Sequence, residues 1–162
     1  MTHILVVSDS HGYVPGLERI IDASAKKYGI PDLVLHCGDG APDLLRVEEN
    51  LRALNPAVRL TAVRGNCDGS SCADIPFERV VEAGGARIFM AHGHRHAVKS
   101  TIWVLDDAAK EQNCSIALFG HTHVPFMQMA SVLILNPGCA HMGQYLSLEI
   151  TNGKPRIHLD HL

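Results

Sequence analysis

Histidine and aspartate are distributed unevenly along the chain, in a spacing that is typical of metal-binding sites. Of the 11 histidines, His92, His94 and His96 crowd one short segment, and His121 and His123 crowd another. Histidine is the commonest metal-binding side chain. Imidazole, carboxylate and amide oxygen together suit borderline divalent ions such as Mn, Fe, Zn or Co. This pattern indicates a metal site and raises the question of which elements bring the residues together.

Five short polar motifs each follow an apolar segment, with a glycine in or beside most of them. They are Asp9-Ser10-His11, Gly38-Asp39, Gly65-Asn66-Cys67-Asp68, His92-Gly93-His94 and Gly120-His121-Thr122-His123. Residues two apart in an extended segment face the same side, so Asp9 with His11, and His121 with His123, can each direct two ligands to one point. Each motif alone is weak, whereas the ordered set is specific.

The segments between these motifs predict an alternating α/β chain. Short apolar runs predict strands at residues 3–8, 33–37 and 58–63, and helical spacing predicts helices at 15–27 and 42–54. A hairpin around Gly84-Gly85, a helix at 101–112 and a strand at 115–119 follow, and four more strands complete the chain, at 126–130, 132–135, 145–151 and 156–159. This order predicts two sheets packed face to face with helices outside. In such sheets ligands bind beyond the carboxyl ends of strands, where the five motifs lie.

Composition narrows the class of protein. The 162 residues, 46% of them hydrophobic, predict a single domain over 1–162 with a sizeable core. No apolar run approaches the ~20 residues of a membrane span, and the first residues are typical of a strand rather than a signal peptide. Five scattered cysteines indicate a reduced, cytoplasmic setting. A net charge of −3 without a basic run argues against long nucleic acid and favours a small substrate.

The ordered motifs resemble the calcineurin-like metallophosphoesterase superfamily. The Gly-Asn-Cys-Asp variant at 65–68 and the short length are similar to its small phosphodiesterases of the YfcE type, and the resemblance runs from Met1 to about Gly138. It implies a four-layer α/β/β/α sandwich of two mixed sheets. It also implies that the protein hydrolyses small phosphodiesters.

The same resemblance implies two divalent metal ions and their ligands. One ion would be held by Asp9, His11, Asp39 and His123, and the second by Asp39, Asn66, His92 and His121, with Asp39 shared between them. Manganese is the first expectation, and Fe, Zn, Ni and Mg are alternatives. In such pairs, about 3.5–4 Å apart, a hydroxide between the ions attacks phosphorus in line. Small members are often dimers or larger, so a homo-oligomer is an expectation by analogy alone.

The sequence departs from the resembled family at two places. Larger members carry histidine after Gly-Asn, where this chain has Cys67, and we hypothesise that His94 contacts the substrate phosphate or assists the leaving group instead. His94, Asn66 and Asp39 are therefore the catalytic candidates. The segment from Cys139 to His141 replaces the serine that is frequent after Asn-Pro-Gly, and it leaves any phosphate-binding role there open.

Other readings of the motifs remain open. A retromer subunit of this fold serves as a protein scaffold, and a phosphomonoesterase or a nuclease would use similar ligands. A scaffold has no need of a full ligand set, and all seven positions are filled here, which favours an enzyme. Outside the set, we expect His36 to be a buried structural residue, His96 to be solvated and Asp68 either to support the metal ligands or to stabilise a turn.

Overall fold

Two mixed five-stranded sheets form the centre of the protein in a computed structural model that describes residues 1–162. The first sheet has the order β10-β9-β1-β2-β3, with parallel pairing among β1, β2 and β3 and antiparallel pairing of β9 and β10. Its strands are β1 (Thr2–Val7), β2 (Leu33–His36), β3 (Arg59–Ala62), β9 (Gln144–Thr151) and β10 (Lys154–His161). The parallel strands end at one edge.

The second sheet has the order β4-β5-β6-β8-β7, with parallel pairing among β5, β6 and β8. Its strands are β4 (Glu78–Ala83), β5 (Ala86–Ala91), β6 (Ile116–Leu118), β7 (Phe126–Met129) and β8 (Leu133–Asn136). The outer strands β4 and β7 pair antiparallel to their neighbours. Each sheet therefore keeps a parallel centre whose strands end together.

Helices cover the two outer faces and complete four layers. They are α1 (Val14–Tyr28), α2 (Asp43–Arg46), α3 (Glu48–Leu54) and α4 (Trp103–Glu111). One apolar core lies between the sheets, a second joins α1, α2 and α3 to the first sheet, and a third joins α4 to the second sheet. The predicted α/β/β/α sandwich of two mixed sheets is thus confirmed. None of the four helices combines the length and apolar character that a membrane crossing requires.

The helix predicted at 42–54 is interrupted, which corrects the sequence interpretation. Val47 lies between α2 and α3 with φ −104° and ψ 6°, outside the helical range, and its side chain is fully buried. Asp43 ties α2 to the loop after β1, while Leu51 packs α3 into the core below the first sheet. Apolar periodicity did not reveal this break because the same face stays buried on both sides of it.

Candidate metal centre

The five motifs meet at one edge of the sandwich, and four of them form two clusters of metal-binding side chains. In the first, the Nε2 atom of His123 lies 3.1 Å from the Oδ1 atom of Asp9 and 3.4 Å from the Nε2 atom of His11. In the second, the Nε2 atom of His92 lies 3.1 Å from the Oδ2 atom of Asp39. His121 belongs to this second cluster, and within each cluster the ligand atoms lie within 4.8 Å of one another.

Most residues of these clusters have a positive φ angle, a backbone conformation that residues other than glycine rarely adopt. Eight non-glycine residues have positive φ, and five of them are predicted ligands. Those five are Asp9, His11, Asp39, His121 and His123, with φ between 47° and 65°. Such a conformation costs roughly 1–3 kcal/mol per residue and persists only where the surrounding structure enforces it. The chain therefore bears strain at the positions where its ligand atoms converge.

One carboxylate oxygen of Asp9 accepts hydrogen bonds and the other accepts none. Its Oδ2 atom accepts hydrogen bonds from the Ser8 hydroxyl at 2.6 Å and from the His121 backbone N–H at 3.1 Å. Its Oδ1 atom is buried without a hydrogen-bond partner and faces three imidazoles. A buried, unpaired carboxylate oxygen is costly unless a cation neutralises it.

His92 is held in the tautomer that a metal ligand needs. Its Nδ1 atom donates a hydrogen bond to the Cys37 carbonyl at 2.7 Å, which leaves the Nε2 lone pair free. The buried Nε2 atom has no partner with hydrogen-bond geometry. Burial alone would lower the pKa of His92, but the carboxylates of Asp39 and Asp9 outweigh it and raise that pKa. The orphaned atoms of Asp9 and His92, and the mixed oxygen and nitrogen donor set, fit divalent metal ions.

Asp39 lies between the two clusters. One of its ligand atoms groups with His92 and His121, and one groups with His11 and Cys67. The backbone N–H of Cys67 donates to its Oδ1 atom at 2.7 Å. Burial works to raise the pKa of Asp39, but the neighbouring His92 ring and the hydrogen bond from the Cys67 N–H outweigh it, and the pKa lies below its usual range. Asp39 is thus an ionised carboxylate placed to be shared by two cations.

The loop that carries Asp39 is held by Asp68. The two carboxylate oxygens of Asp68 accept four backbone N–H groups, those of Asp39, Gly40, Ala41 and Gly65, at 2.8 to 3.3 Å. A side chain at Gly65 would overlap the Asp39 carboxylate, so this position requires glycine. The two roles predicted for Asp68 therefore coincide, because the turn that it stabilises positions a ligand.

The remaining predicted residues lie around these clusters. Asn66 is exposed and its amide contacts the Cys67 sulfur at 3.5 Å, beside the Asp39 carboxylate. The ring centroid of His94 lies 5.5 Å from that of His92 and 6.2 Å from that of His121, and its Nδ1 atom is buried without a partner. Burial and the neighbouring His92 lower the pKa of His94, which favours a neutral imidazole. The structure thus brings all predicted residues to one edge.

One histidine differs from expectation. His96 was predicted to be solvated, but it is buried and its Nε2 atom lies 3.0 Å from a Glu78 carboxylate oxygen. The turn after β5 folds back over the second sheet and packs the ring edge-on against Phe89. Sequence spacing could not reveal this contact, because Glu78 lies on β4 and His96 lies in the turn after β5.

Several supporting residues were not identified from the sequence. The Asn136 amide donates to the Gly120 carbonyl and to the Thr122 hydroxyl, both at 3.0 Å, and so fixes the loop of His121 and His123. Beneath the first cluster, the Ser10 hydroxyl contacts His36 at 2.8 Å and donates to the Asp43 carboxylate at 2.7 Å. The only sequence signal for these contacts was the pair of serines, Ser8 and Ser10, on either side of Asp9.

His36 is a buried structural histidine, as predicted. It is fully buried, its Nδ1 atom accepts the Gly38 N–H at 3.1 Å, and its Nε2 atom therefore donates to Ser10. Burial lowers the pKa of His36 from 6.5 to about 4, so the ring is neutral.

Acid should destabilise the protein partly through His36. Between pH 6.5 and about 4 the unfolded chain binds a proton at this position and the folded state does not. The free energy of unfolding therefore falls as pH falls through this window, by at most ~3 kcal/mol. Urea unfolding of metal-stripped protein at pH 7 and pH 5 measures the effect. His36→Gln should lose less stability over this interval, and an unchanged loss would contradict the assignment.

A groove of about 290 Å³ opens beside the two clusters. It is lined by His11, Asp39 and Cys67 on the metal side and by Arg46 and Ser71 among others on the far side. Its carboxylates already have partners, because Asp68 is saturated by backbone N–H groups and Asp43 pairs with Arg46. The groove is open to solvent next to the ligand atoms, so a small molecule can reach them.

The family model and the curated proteins that this chain matches are all phosphoesterases. Residues 2–152 match the calcineurin-like phosphoesterase superfamily domain. The probable metallophosphoesterase YsnB of Bacillus subtilis (strain 168) is 33% identical over 138 residues, which cover 84% of this chain and 73% of that protein. Phosphodiesterase YfcE of Escherichia coli (strain K12) is 29% identical over 157 residues, which cover 85% of this chain and 79% of that protein.

Solved structures share the architecture. A predicted phosphoesterase from Streptococcus pneumoniae TIGR4 superimposes with a TM-score of 0.75 at 30% identity, covering 99% of this chain and 89% of the other. Wild-type Vps29 from Entamoeba histolytica, solved in complex with Zn²⁺, superimposes with a TM-score of 0.69 at 21% identity, covering 99% of both chains. At that identity the second likeness shows the fold alone.

Proposed function

Because the chain belongs to the calcineurin-like phosphoesterase superfamily, we propose that it is a metal-dependent phosphodiesterase that hydrolyses small phosphodiesters. The single observation that carries the proposal is a pair of buried ligand atoms without a hydrogen-bond partner, Oδ1 of Asp9 and Nε2 of His92, which lie 3.9 Å apart. Nothing in a purely structural role requires such atoms to remain unpaired.

The proposed ligand sets are those that the family resemblance implies. Asp9, His11, Asp39 and His123 would hold one ion, and a second would be held by Asp39, Asn66, His92 and His121. Manganese is the first candidate, with Fe, Zn, Ni and Mg as alternatives. When bound, the two ions supply an activated water and neutralise charge on the phosphoryl oxygens. The chain itself orients the ligands through the Ser8, Cys37 and Cys67 contacts.

The residue after Asn66 favours diesters over monoesters. Cys67 stands where larger family members place a histidine, and burial together with the charge of Asp39 raises the pKa of its thiol. A thiol with a raised pKa stays protonated near neutral pH, but it is a weak acid for a poor leaving group. Diesters with good leaving groups need little protonation, so they suit this site better than unactivated monoesters.

His94 is the proposed substrate-contacting residue. Its neutral ring stands beside His92 and His121 with a buried Nδ1 atom that has no partner in the protein. His94→Ala should hydrolyse a diester with a poor leaving group roughly 10²-fold more slowly, and a p-nitrophenyl diester much less so. Rates for both substrates measure this difference. Equal rates for wild type and variant on the poor-leaving-group diester would exclude the role.

A scaffold without catalytic activity is the second candidate. The likeness to Vps29, a vacuolar protein sorting protein that was solved with zinc, means that metal binding alone does not separate the two functions. Hydrolysis does separate them. The five cysteines are all free thiols, which supports the proposal of a reducing, cytoplasmic setting for either function.

Hydrolysis of bis-p-nitrophenyl phosphate by metal-stripped protein, with and without added Mn²⁺, tests the proposal. We expect turnover that depends on the metal, with p-nitrophenyl phosphate and single-stranded DNA cleaved far more slowly. Faster monoester or DNA cleavage would identify a phosphomonoesterase or a nuclease. Folded protein that is inactive with Mn, Fe, Zn, Ni and Mg would support the scaffold.

A further inference from the structure

Two unpaired arginines pack against one phenylalanine beside the second cluster. The guanidinium carbons of Arg64 and Arg95 lie 5.2 and 4.7 Å from the ring centroid of Phe77. Arg64 also donates from Nε to the Asp68 carbonyl at 3.2 Å, which fixes its side chain. Neither arginine forms a salt bridge, whereas five of the other arginines or lysines do. Two like charges are therefore held on one ring without a compensating carboxylate.

The same ring connects these charges to the metal centre through His94. The ring centroids of Phe77 and His94 are 5.5 Å apart, and those of His94 and His92 are also 5.5 Å apart. The buried Nδ1 atom of His94 has no partner. We call the surface formed by Arg64, Phe77, His94 and Arg95 the arginine platform. Two rings, those of Phe77 and His94, lie between its guanidinium groups and the proposed ligand His92.

The groove beside the metal centre differs in charge from the arginine platform. In the groove beside His11 and Cys67, the single arginine, Arg46, is already paired with Asp43. That side offers no free cation, and the arginine platform offers two. A substrate bound across the metals would therefore be oriented by charge, with an anionic arm directed to the platform and a neutral arm directed to the groove.

We infer that the arginine platform is a binding subsite for a second phosphate on one arm of the phosphodiester substrate. The guanidinium fork matches phosphate oxygens in pairs, and packing on Phe77 holds both forks in place before binding. A second phosphate would relieve the repulsion between Arg64 and Arg95. The substrate class is thus a phosphodiester with a phosphorylated arm, such as a nucleoside bisphosphate ester. This inference rests on the proposed function, because it names the substrate of the same site.

Calorimetric binding of two thymidine nucleotides tests the subsite without requiring turnover. Thymidine 3′,5′-bisphosphate carries the second phosphate and thymidine 5′-monophosphate lacks it. Wild-type protein should bind the bisphosphate about tenfold more tightly, since each charge-assisted contact contributes on this scale. The preference should appear in metal-stripped and Mn²⁺-treated protein alike, because none of the four platform residues is a proposed metal ligand.

Variants localise the preference. Arg95→Gln removes an exposed side chain that makes no hydrogen bond within the protein, so the variant should fold normally. It should reduce the preference for the bisphosphate over the monophosphate at least threefold, and Arg95→Lys should retain part of that preference. Adding Arg64→Gln should abolish the preference. Arg156→Gln is the matched control, since it removes one arginine charge on the remote β10 strand and should leave the preference intact.

The outcomes separate the subsite from the proposed function. Diester hydrolysis together with equal affinities for the two nucleotides overturns the subsite and keeps the function. A preference for the bisphosphate that survives in Arg64→Gln/Arg95→Gln also overturns it, since the second phosphate then binds elsewhere. A preference that is lost in those variants supports the subsite even if the protein hydrolyses no diester, a result that would contradict the function alone.

Discussion

Asp39→Asn is expected to reduce the hydrolysis of bis-p-nitrophenyl phosphate roughly 10³-fold or more. Asp39 groups with His92 and His121 on one side and with His11 on the other, so it is the carboxylate that links the two clusters. Asparagine keeps the shape and can still accept the Cys67 N–H, but it removes the negative charge that two cations would share. Loss of that charge costs several kcal/mol of binding and transition-state stabilisation.

Metal binding gives a second readout for the same variant. An ion present at 1,000 times its dissociation constant stabilises the folded state by about 4 kcal/mol, so Mn²⁺ should raise the melting temperature of the wild type clearly. The rise should be small or absent in Asp39→Asn. Asp22→Asn is the control, since Asp22 is exposed on α1 and the charge change is the same. An Asp39→Asn protein that keeps both the rise and activity within tenfold of wild type would refute the shared-ligand assignment.

The fold was predictable where it depends on local patterns. Nearly all strands and helices lie within two or three residues of their predicted bounds, because apolar runs and turn residues act over short distances. The partner of each strand was not predictable. β9 follows β8 in sequence but leaves that sheet to pair with β1, and β10 follows β9. Such pairing depends on contacts between distant residues, which hydrophobic periodicity does not encode.

The candidate site was predictable for a related reason. Each motif ends a strand, and the carboxyl ends of parallel strands meet at one edge, so order alone places Asp9 and Asp39 together, while His92 ends a strand of the second sheet and joins them through the packing of the two sheets. The supporting contacts were not predictable, because Ser10 and His36, or Asp9 and the His121 N–H, lie 26 and 112 residues apart. His96 was assigned wrongly for the same reason, since Glu78 buries it from another strand.

Three of the proposed ligands depend on contacts with distant residues for their backbone conformation. Asp9, His11 and Asp39 have positive φ, which local preference opposes, and residues elsewhere in the chain hold them there. Ser8 holds the Asp9 carboxylate, and the Gly38 and Asp39 carbonyls accept the N–H groups of Asp9 and His11. The proposed metal centre is therefore held in place by residues outside the proposed ligand set, and the strongest test of this view changes one of them.

Asp68→Asn should damage the metal centre although Asp68 is not a proposed ligand. Each of its carboxylate oxygens accepts two backbone N–H groups, and asparagine would turn an N–H₂ group toward two of them. Two buried donors would lose their acceptor, at a cost of about 3 kcal/mol. Urea unfolding of metal-stripped protein measures this loss. Asp74→Asn, on the exposed part of the following segment, should change the free energy of unfolding little.

The effect on metal affinity is the more informative result for Asp68→Asn. The Asp39 and Gly65 N–H groups share the Oδ2 atom of Asp68, so an asparagine N–H₂ group at that position frees the loop that carries the proposed shared carboxylate and the loop that carries Asn66. We expect Mn²⁺ to bind about 10- to 100-fold more weakly, as for other residues that orient metal ligands. Full affinity in a destabilised variant would mean that the ligands hold their own positions. Weakened affinity would mean that the ordered motifs form a metal centre only because Asp68 joins two of their loops.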